Sequence, residues 1–158
     1  MEKIQLNNEL TLTYPEGFRA MGKEELEKHQ YFGEAPAWSI SDSGRHVMIS
    51  IAWKKTNGFV AKLLNTKDIV KKMEAGIRNP MQQYGYHLEE FLSLEAGGKN
   101  ADGYRYSYTV QETGMSGESL CIKNKNTFYY IHMYYRSALK DQSLPVLEEI
   151  LDSAAWTR

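Results

Sequence analysis

Residues 104–136 read YRYSYTVQETGMSGESLCIKNKNTFYYIHMYYR, and this stretch decides the fold. It holds three extended runs, 104–111, 116–123 and 127–136, rich in tyrosine and β-branched residues and separated by very short polar breaks. Links that short leave antiparallel pairing of neighbours as the available geometry, so the stretch predicts a three-stranded meander. Residues 143–154 follow with Leu144, Leu147, Ile150, Leu151 and Ala154 on one helical stripe, Ser143 as the expected cap and Trp156 expected to pack beyond the end. These letters fix a fold class and leave the activity open.

Working outward, Gly97-Gly98 predicts a two-residue hairpin turn, because both positions tolerate positive φ, and it is preceded by a strand over 86–96. A helix is expected from Thr66 as N-cap to about Asn79, with Ile69, Val70, Met73 and Ile77 on one stripe and Pro80 ending or kinking it. Asn57-Gly58 reads as a loop. Residues 46–54 alternate Val47, Ile49, Ile51 and Trp53 against Met48, Ser50 and Ala52, and Asp42-Ser43-Gly44 turns the chain back to a strand over 37–41. A short charged helix is expected over 22–30, with Met21 and Leu26 inward. Residues 10–14 alternate Leu10, Leu12 and Tyr14 against two threonines, and Pro15-Glu16-Gly17 ends that strand. Asn7-Asn8 turns it from a short strand over 4–6. The expectation is an α+β chain: one antiparallel sheet of about six to seven strands between helix layers, an α/β/α sandwich, with residues 1–158 as a single domain.

Composition narrows the function classes. A net charge of −1 gives no reason to expect nucleic acid or an anionic membrane as partner. The single cysteine, Cys121, has no internal disulfide partner. The segment Met1-Glu2-Lys3-Ile4-Gln5-Leu6 lacks the apolar core of a signal peptide, and no apolar run reaches the roughly 20 residues of a membrane span. The expected location is cytoplasmic.

Three segments carry a resemblance. LTLTYPEGF at residues 10–18, AGGKNADGYRY at 96–106 and EEILDS at 148–153, together with the element order, resemble the PsbP-like superfamily, which includes bacterial DcrB-like proteins, the extrinsic photosystem II subunit and a yeast Ran-GTPase nucleotide-release factor. The resemblance implies an antiparallel sheet between helix layers. It implies no catalytic set, since the matching segments are a turn, a hairpin and a helix, and it carries neither a photosynthetic nor a Ran-related role to this chain.

The turns propose registers. A Gly97-Gly98 loop places Phe91 opposite Tyr104 and Glu90 opposite Arg105. A Thr113-Gly114 turn would place Tyr106 opposite Cys121 and Tyr108 opposite Ser119. A Lys125-Asn126 turn places Cys121 opposite Tyr130 and Ser119 opposite His132. One face then carries Phe91, Tyr104, Tyr106, Tyr108, Cys121, Tyr130, His132 and Tyr134; the other carries Leu92, Leu94, Leu120, Ile122, Tyr129, Ile131 and Met133. The aliphatic face is the expected seat of the second and third helices. The tyrosine face reads either as a core layer under the first helix or as a groove for a ligand or partner, because a tyrosine wants one dry and one wet side. Its candidate binding residues are Tyr104, Tyr106, Tyr108, Ser119, Tyr130, His132 and Tyr134.

Ser119 and His132 suggest hydrolase chemistry only superficially, since Glu118 points to the other face and no strand-to-helix elbow presents the serine. The scattered histidines His29, His46, His87 and His132 show no ligand spacing, so neither a metal nor another cofactor is expected. Cys121 reads as a buried small hydrophobe. Lys67, Lys71 and Lys72 form a candidate basic patch on the second helix. The sequence therefore favours a non-catalytic protein-interaction module, with a small-molecule carrier or sensor using the tyrosine face as the alternative and an enzyme as the least favoured reading. Another protein is the expected partner, and the chain is expected to be a monomer or a weak homodimer through an edge such as the N-terminal strand or 37–41.

Overall fold

Strand pairing in the C-terminal half follows from three two-residue turns. Gly97-Gly98 sits at φ +62° and +82°, the left-handed region glycine enters without penalty, and pairs Ala96 with Lys99. Gln111-Glu112, at φ +48° and +66°, pairs Val110 with Thr113. Lys125-Asn126 pairs Asn124 with Thr127. The computed structural model describes residues 1–28 and 36–157. In chain order these form β1 (Glu2–Leu6), β2 (Leu10–Tyr14), β3 (Arg19–Ala20), α1 (Lys23–Lys28), β4 (Trp38–Asp42), β5 (Val47–Lys55), α2 (Gly58–Leu63), α3 (Thr66–Met81), β6 (His87–Ala96), β7 (Lys99–Val110), β8 (Thr113–Asn124), β9 (Thr127–Arg136), α4 (Lys140–Asp152) and β10 (Ala155–Trp156). Positions 29–30 of the expected first helix, with His29, lie outside the described residues.

Seven strands make one antiparallel sheet in the order β3-β4-β5-β9-β8-β7-β6, and β1-β2-β10 make a second, small one. The N-terminal strand is thus no edge of the main sheet. Nor is β4, which lies between β3 and β5; the long edge is β6. On one face of the main sheet, Val47, Ile49 and Ile51 of β5 and Ile131, Met133 and Tyr135 of β9 bury against Leu144, Leu147, Ile150 and Leu151 of α4 and against Leu10 and Leu12 of β2. Each aliphatic side chain so buried contributes about 1.5–3 kcal/mol. Ser153 ties the end of α4 to β2: its hydroxyl accepts from the Thr13 amide at 2.8 Å. Trp156 packs edge-on against Tyr129 and donates its indole N–H to the Ala96 carbonyl at 2.9 Å.

The opposite face packs against α3 through Val70, with Ile69, Met73 and Ile77 partly buried. This corrects the expected seating. The second helix covers the tyrosine face rather than the aliphatic one, and α1 buries none of its residues. The reason lies upstream of α3. The Asn57-Gly58 segment is the start of α2, with the Asn57 side chain accepting from the Val60 amide at 2.8 Å, and this extra helix precedes α3 on the tyrosine side, where its Ala61 joins the same core. Two caps also differ. Asn65, not Thr66, caps α3 by accepting from the Lys67 amide at 2.8 Å, while Thr66 donates to Asp102 of β7. Ser143 lies inside α4, buried, because that helix begins at Lys140.

The β7–β8 register is the other correction. Tyr106 lies opposite Gly117 and Tyr108 opposite Met115; Cys121 faces Asp102. The turn falls two residues earlier than Thr113-Gly114, which leaves every side chain on its expected face because the shift is even. Two contacts favour this register over the glycine-containing turn. A Cβ on Gly117 would come within 2.5 Å of the Tyr106 ring, so the glycine makes the seat for that ring. Arg105, opposite Glu118, donates to it at 2.7 Å and to Glu90 on β6 at 2.6 Å. The turn residues bear a left-handed backbone in consequence. Replacing Gln111-Glu112 by Asn-Gly (Gln111→Asn with Glu112→Gly) should raise stability by about 0.5–1 kcal/mol. A rise in the urea midpoint at constant slope checks this; an unchanged or lowered midpoint would count against the turn.

Candidate functional site

The tyrosine face begins with β7, where Tyr104, Tyr106 and Tyr108 join the core that α3 covers. Tyr104 and Tyr106 are buried, their rings 5.5 Å apart, and Tyr108 stacks on Tyr106 at 5.8 Å. Phe91 of β6 lies 6.4 Å from Tyr104, and Tyr86, just before β6, lies 5.5 Å from Tyr106. Such tilted and offset contacts suit the ring quadrupoles. Tyr104 and Tyr106 are thus a filled layer under α3 rather than the floor of an opening.

On the same face a polar row crosses the sheet and ends at Tyr104. Ser39 of β4, Ser50 of β5, His132 of β9, Ser119 of β8 and Tyr104 of β7 are successive cross-strand partners. The Ser39 and Ser50 hydroxyls meet at 2.9 Å, Ser39 also donates to the Ile49 carbonyl at 3.0 Å, and the Ser119 hydroxyl meets His132 Nδ1 at 2.7 Å. All four of these serine and histidine side chains are buried. Ser119 is fully enclosed in mid-strand, and Glu118 faces the other side in its pair with Arg105. Burial lowers the His132 pKa to about 4, so its imidazole is neutral near pH 7. Burial likewise pushes the Cys121 thiol up to about 12, with Asp102 adding to the shift, and this keeps it a protonated, enclosed hydrophobe.

One member of this region had no signal in the apolar pattern. Glu74 of α3 is fully buried; it accepts from Arg78 Nε at 2.8 Å and from the Tyr86 hydroxyl at 2.8 Å. The hydrogen bonds from Arg78 hold its carboxyl below the usual range against the opposing effect of burial. The i,i+4 spacing of Glu74 and Arg78 was the available clue. Asp102, also buried, is held by Thr66, by Ser93 at 3.0 Å and by Asn100 at 2.8 Å, which anchors the start of α3 to β7.

Where the tyrosine layer stops, a groove opens. It lies between α3 and the β5–β9 pair and holds about 480 Å³. Ala52 and Lys54 of β5 and Tyr130 and His132 of β9 form its floor; Ile69, Lys72, Met73 and Gly76 of α3 form its wall, with Leu64 and Pro36 completing the lining. Lys54, Lys72 and Gly76 are exposed at the rim. The volume lies in the range of small-ligand sites, and an apolar lining with a few polar groups is their usual character.

The structure therefore divides the residues picked from sequence. Tyr130 and His132 line the groove. Tyr104, Tyr106 and Ser119 lie buried beside it. Tyr108 and Tyr134 border a separate shallow depression with Met48, Val110 and Met115. The three lysines divide too: Lys72 faces the groove, whereas Lys67 and Lys71 border a cleft with Phe91 and Ser93 of β6. Lys54, Ala52, Met73 and Gly76 were missed as site residues, since nothing local in the sequence shows which helix crosses which strands.

No protein-family model matches the sequence, and no curated protein matches it. Solved structures do. The chain is similar to cyanobacterial PsbP (CyanoP) from Synechocystis sp. PCC 6803, with a TM-score of 0.68 and 11% identity over 99% of this chain and 92% of that one. It is similar to LpqN, involved in cell envelope biogenesis of Mycobacterium tuberculosis, with a TM-score of 0.61 and 12% identity over 94% and 83%. A protein of Bacteroides thetaiotaomicron gives a TM-score of 0.63 and 9% identity over 94% of this chain and 45% of its own. The fold is PsbP-like, as the resemblance implied; identities this low carry no residue roles.

The buried imidazole yields a pH dependence. The unfolded chain binds a proton at His132 near 6.5, the folded chain only near 4. Stability should therefore fall as pH drops through that window, by at most about 1.4 kcal/mol per pH unit. Urea unfolding from about pH 7.5 to pH 5 should show this slope, and His132→Gln should flatten it. An equal slope in the variant would exclude His132 as its source.

Proposed function

We propose that this chain is a non-catalytic binding module that takes a small, largely apolar ligand in the groove between α3 and the β5–β9 pair. The groove itself carries the proposal: about 480 Å³, apolar walls on Ile69, Met73 and Ala52, and polar groups at a few points. This favours the carrier or sensor reading over docking of a whole protein on the tyrosine face, because the tyrosines that would have formed such a surface are largely buried under α3. The non-catalytic part of the reading is supported by Ser119, whose hydroxyl is enclosed and bonded to a neutral imidazole, leaving no exposed nucleophile in that pair. No described helix is long and apolar enough to cross a membrane.

Gly76 provides the test. A Cβ there would meet nothing within 4 Å, and the residue sits in a helix, where replacing glycine favours the fold by up to about 1 kcal/mol. Gly76→Leu should therefore fill the groove without loosening the protein. The neutral fluorophore N-phenyl-1-naphthylamine should brighten on wild-type protein and lose at least about tenfold in affinity on Gly76→Leu, at equal or higher melting temperature. Absence of brightening, or brightening that Gly76→Leu leaves intact, would sink the proposal.

A further inference from the structure

We infer that the α2 end of the molecule docks on an anionic phospholipid surface, with Phe59 and Leu63 entering the interface and the lysines around them meeting headgroups. Phe59 is 74% exposed and Leu63 69%, whereas the other exposed large apolar side chains, Met1 apart, do not exceed 48%. The two stand one turn apart on α2, and Ala61 between them is buried, so both project away from the protein. The same end gathers positive charge. Lys55 closes β5, Lys62 lies on α2 and Lys125 is in the β8–β9 turn, all three exposed. The Thr56 amide donates to the Asn126 carbonyl at 2.7 Å and Lys123 donates to the Ala61 carbonyl, which holds turn and helix together. Lys54 is already engaged and is not needed. No Asp or Glu occurs within 53–67 or 119–140. The described carboxylates on adjoining elements are Asp68 of α3, the buried Asp102 of β7 and Glu9, which accepts from Tyr129; Glu95 is offset by Lys99 on its own hairpin. Lys55, Lys62, Lys67, Lys123 and Lys125 outnumber the first three, an excess that the overall charge of −1 conceals. A second copy would set lysines against lysines. Two projecting side chains are also too few for a stable protein interface, which buries more than about 1,000 Å². A lipid interface needs only a shallow apolar wedge backed by electrostatic attraction.

Co-sedimentation with sucrose-loaded vesicles tests the inference. Vesicles of equal parts phosphatidylglycerol and phosphatidylcholine should carry the protein down, pure phosphatidylcholine vesicles should not, and about 0.5 M salt should release it. Lys62→Gln and Lys125→Gln should each weaken binding roughly fivefold. Phe59→Ser combined with Leu63→Ser should weaken it at least about tenfold. The melting temperature of that variant should match the wild type, because neither side chain is buried. Phe59→Trp should gain fluorescence quenching by chain-brominated lipid beyond that of the wild-type tryptophans. Gly76→Leu, which fills the groove, should leave sedimentation unchanged. No sedimentation on the anionic vesicles would overturn the inference. So would sedimentation that the double serine variant retains, which would make this end a general polyanion site. Loss of sedimentation in Gly76→Leu would also overturn it, by placing the lipid in the groove.

Discussion

The two-residue period of β9 governs the rest of the molecule. This strand lies inside the main sheet between β5 and β8, and both of its sides are buried. Tyr129, Ile131, Met133 and Tyr135 serve the core under α4, while Phe128, Tyr130, His132 and Tyr134 serve the side under α3. A slip of one residue against either neighbour would exchange these sets, placing an imidazole and phenols against Leu147 and Ile150 and leaving aliphatic groups on the groove floor. Two layers and the groove are therefore built by one alignment, and Lys125-Asn126 with the β5–β9 pairing holds it.

Much of this was legible because hairpins are local. The strand at Thr127–Arg136, its turn, the Gly97-Gly98 loop and the partition of side chains between faces all follow from period and turn chemistry within a few residues. What was illegible depended on contacts between distant residues. Glycine at 114 argued for a turn there, but the seat that Gly117 makes for Tyr106 and the charge ladder through Arg105 settle the register, leaving Gln111 and Glu112 to adopt the strained backbone. Which face each helix would cover was likewise unreadable, because an apolar stripe states that a helix is half buried and not against what. Ile69 and Met73 look alike whether they meet aliphatic groups or tyrosines.

The candidate site shows the same division. Tyr130 and His132 could be placed on a common face from parity alone. The groove could not, since it exists where α3 stops covering the sheet, a matter of where α2 delivers the helix. Asn57 and Asn65, each capping one of these helices, set that position. The basic run of α3 also loses its unity once folded: consecutive lysines on a helix point about 100° apart, so Lys71 and Lys72 belong to different clefts.

The small sheet has an implication for how the chain is made. β2 receives β1 from four residues upstream, but its other neighbour, β10, is about 145 positions downstream, where Ala155 pairs with Thr11 and the Thr157 amide reaches the Glu9 carbonyl at 2.8 Å. During vectorial synthesis the opening hairpin leaves the ribosome long before the strand and the α4 stripe that cover Leu10 and Leu12. At typical translation rates that interval lasts roughly 7–30 s, during which this hairpin has oily side chains and a bare edge to hide. The polar threonines on its reverse and the asparagine turn at its tip make that wait tolerable.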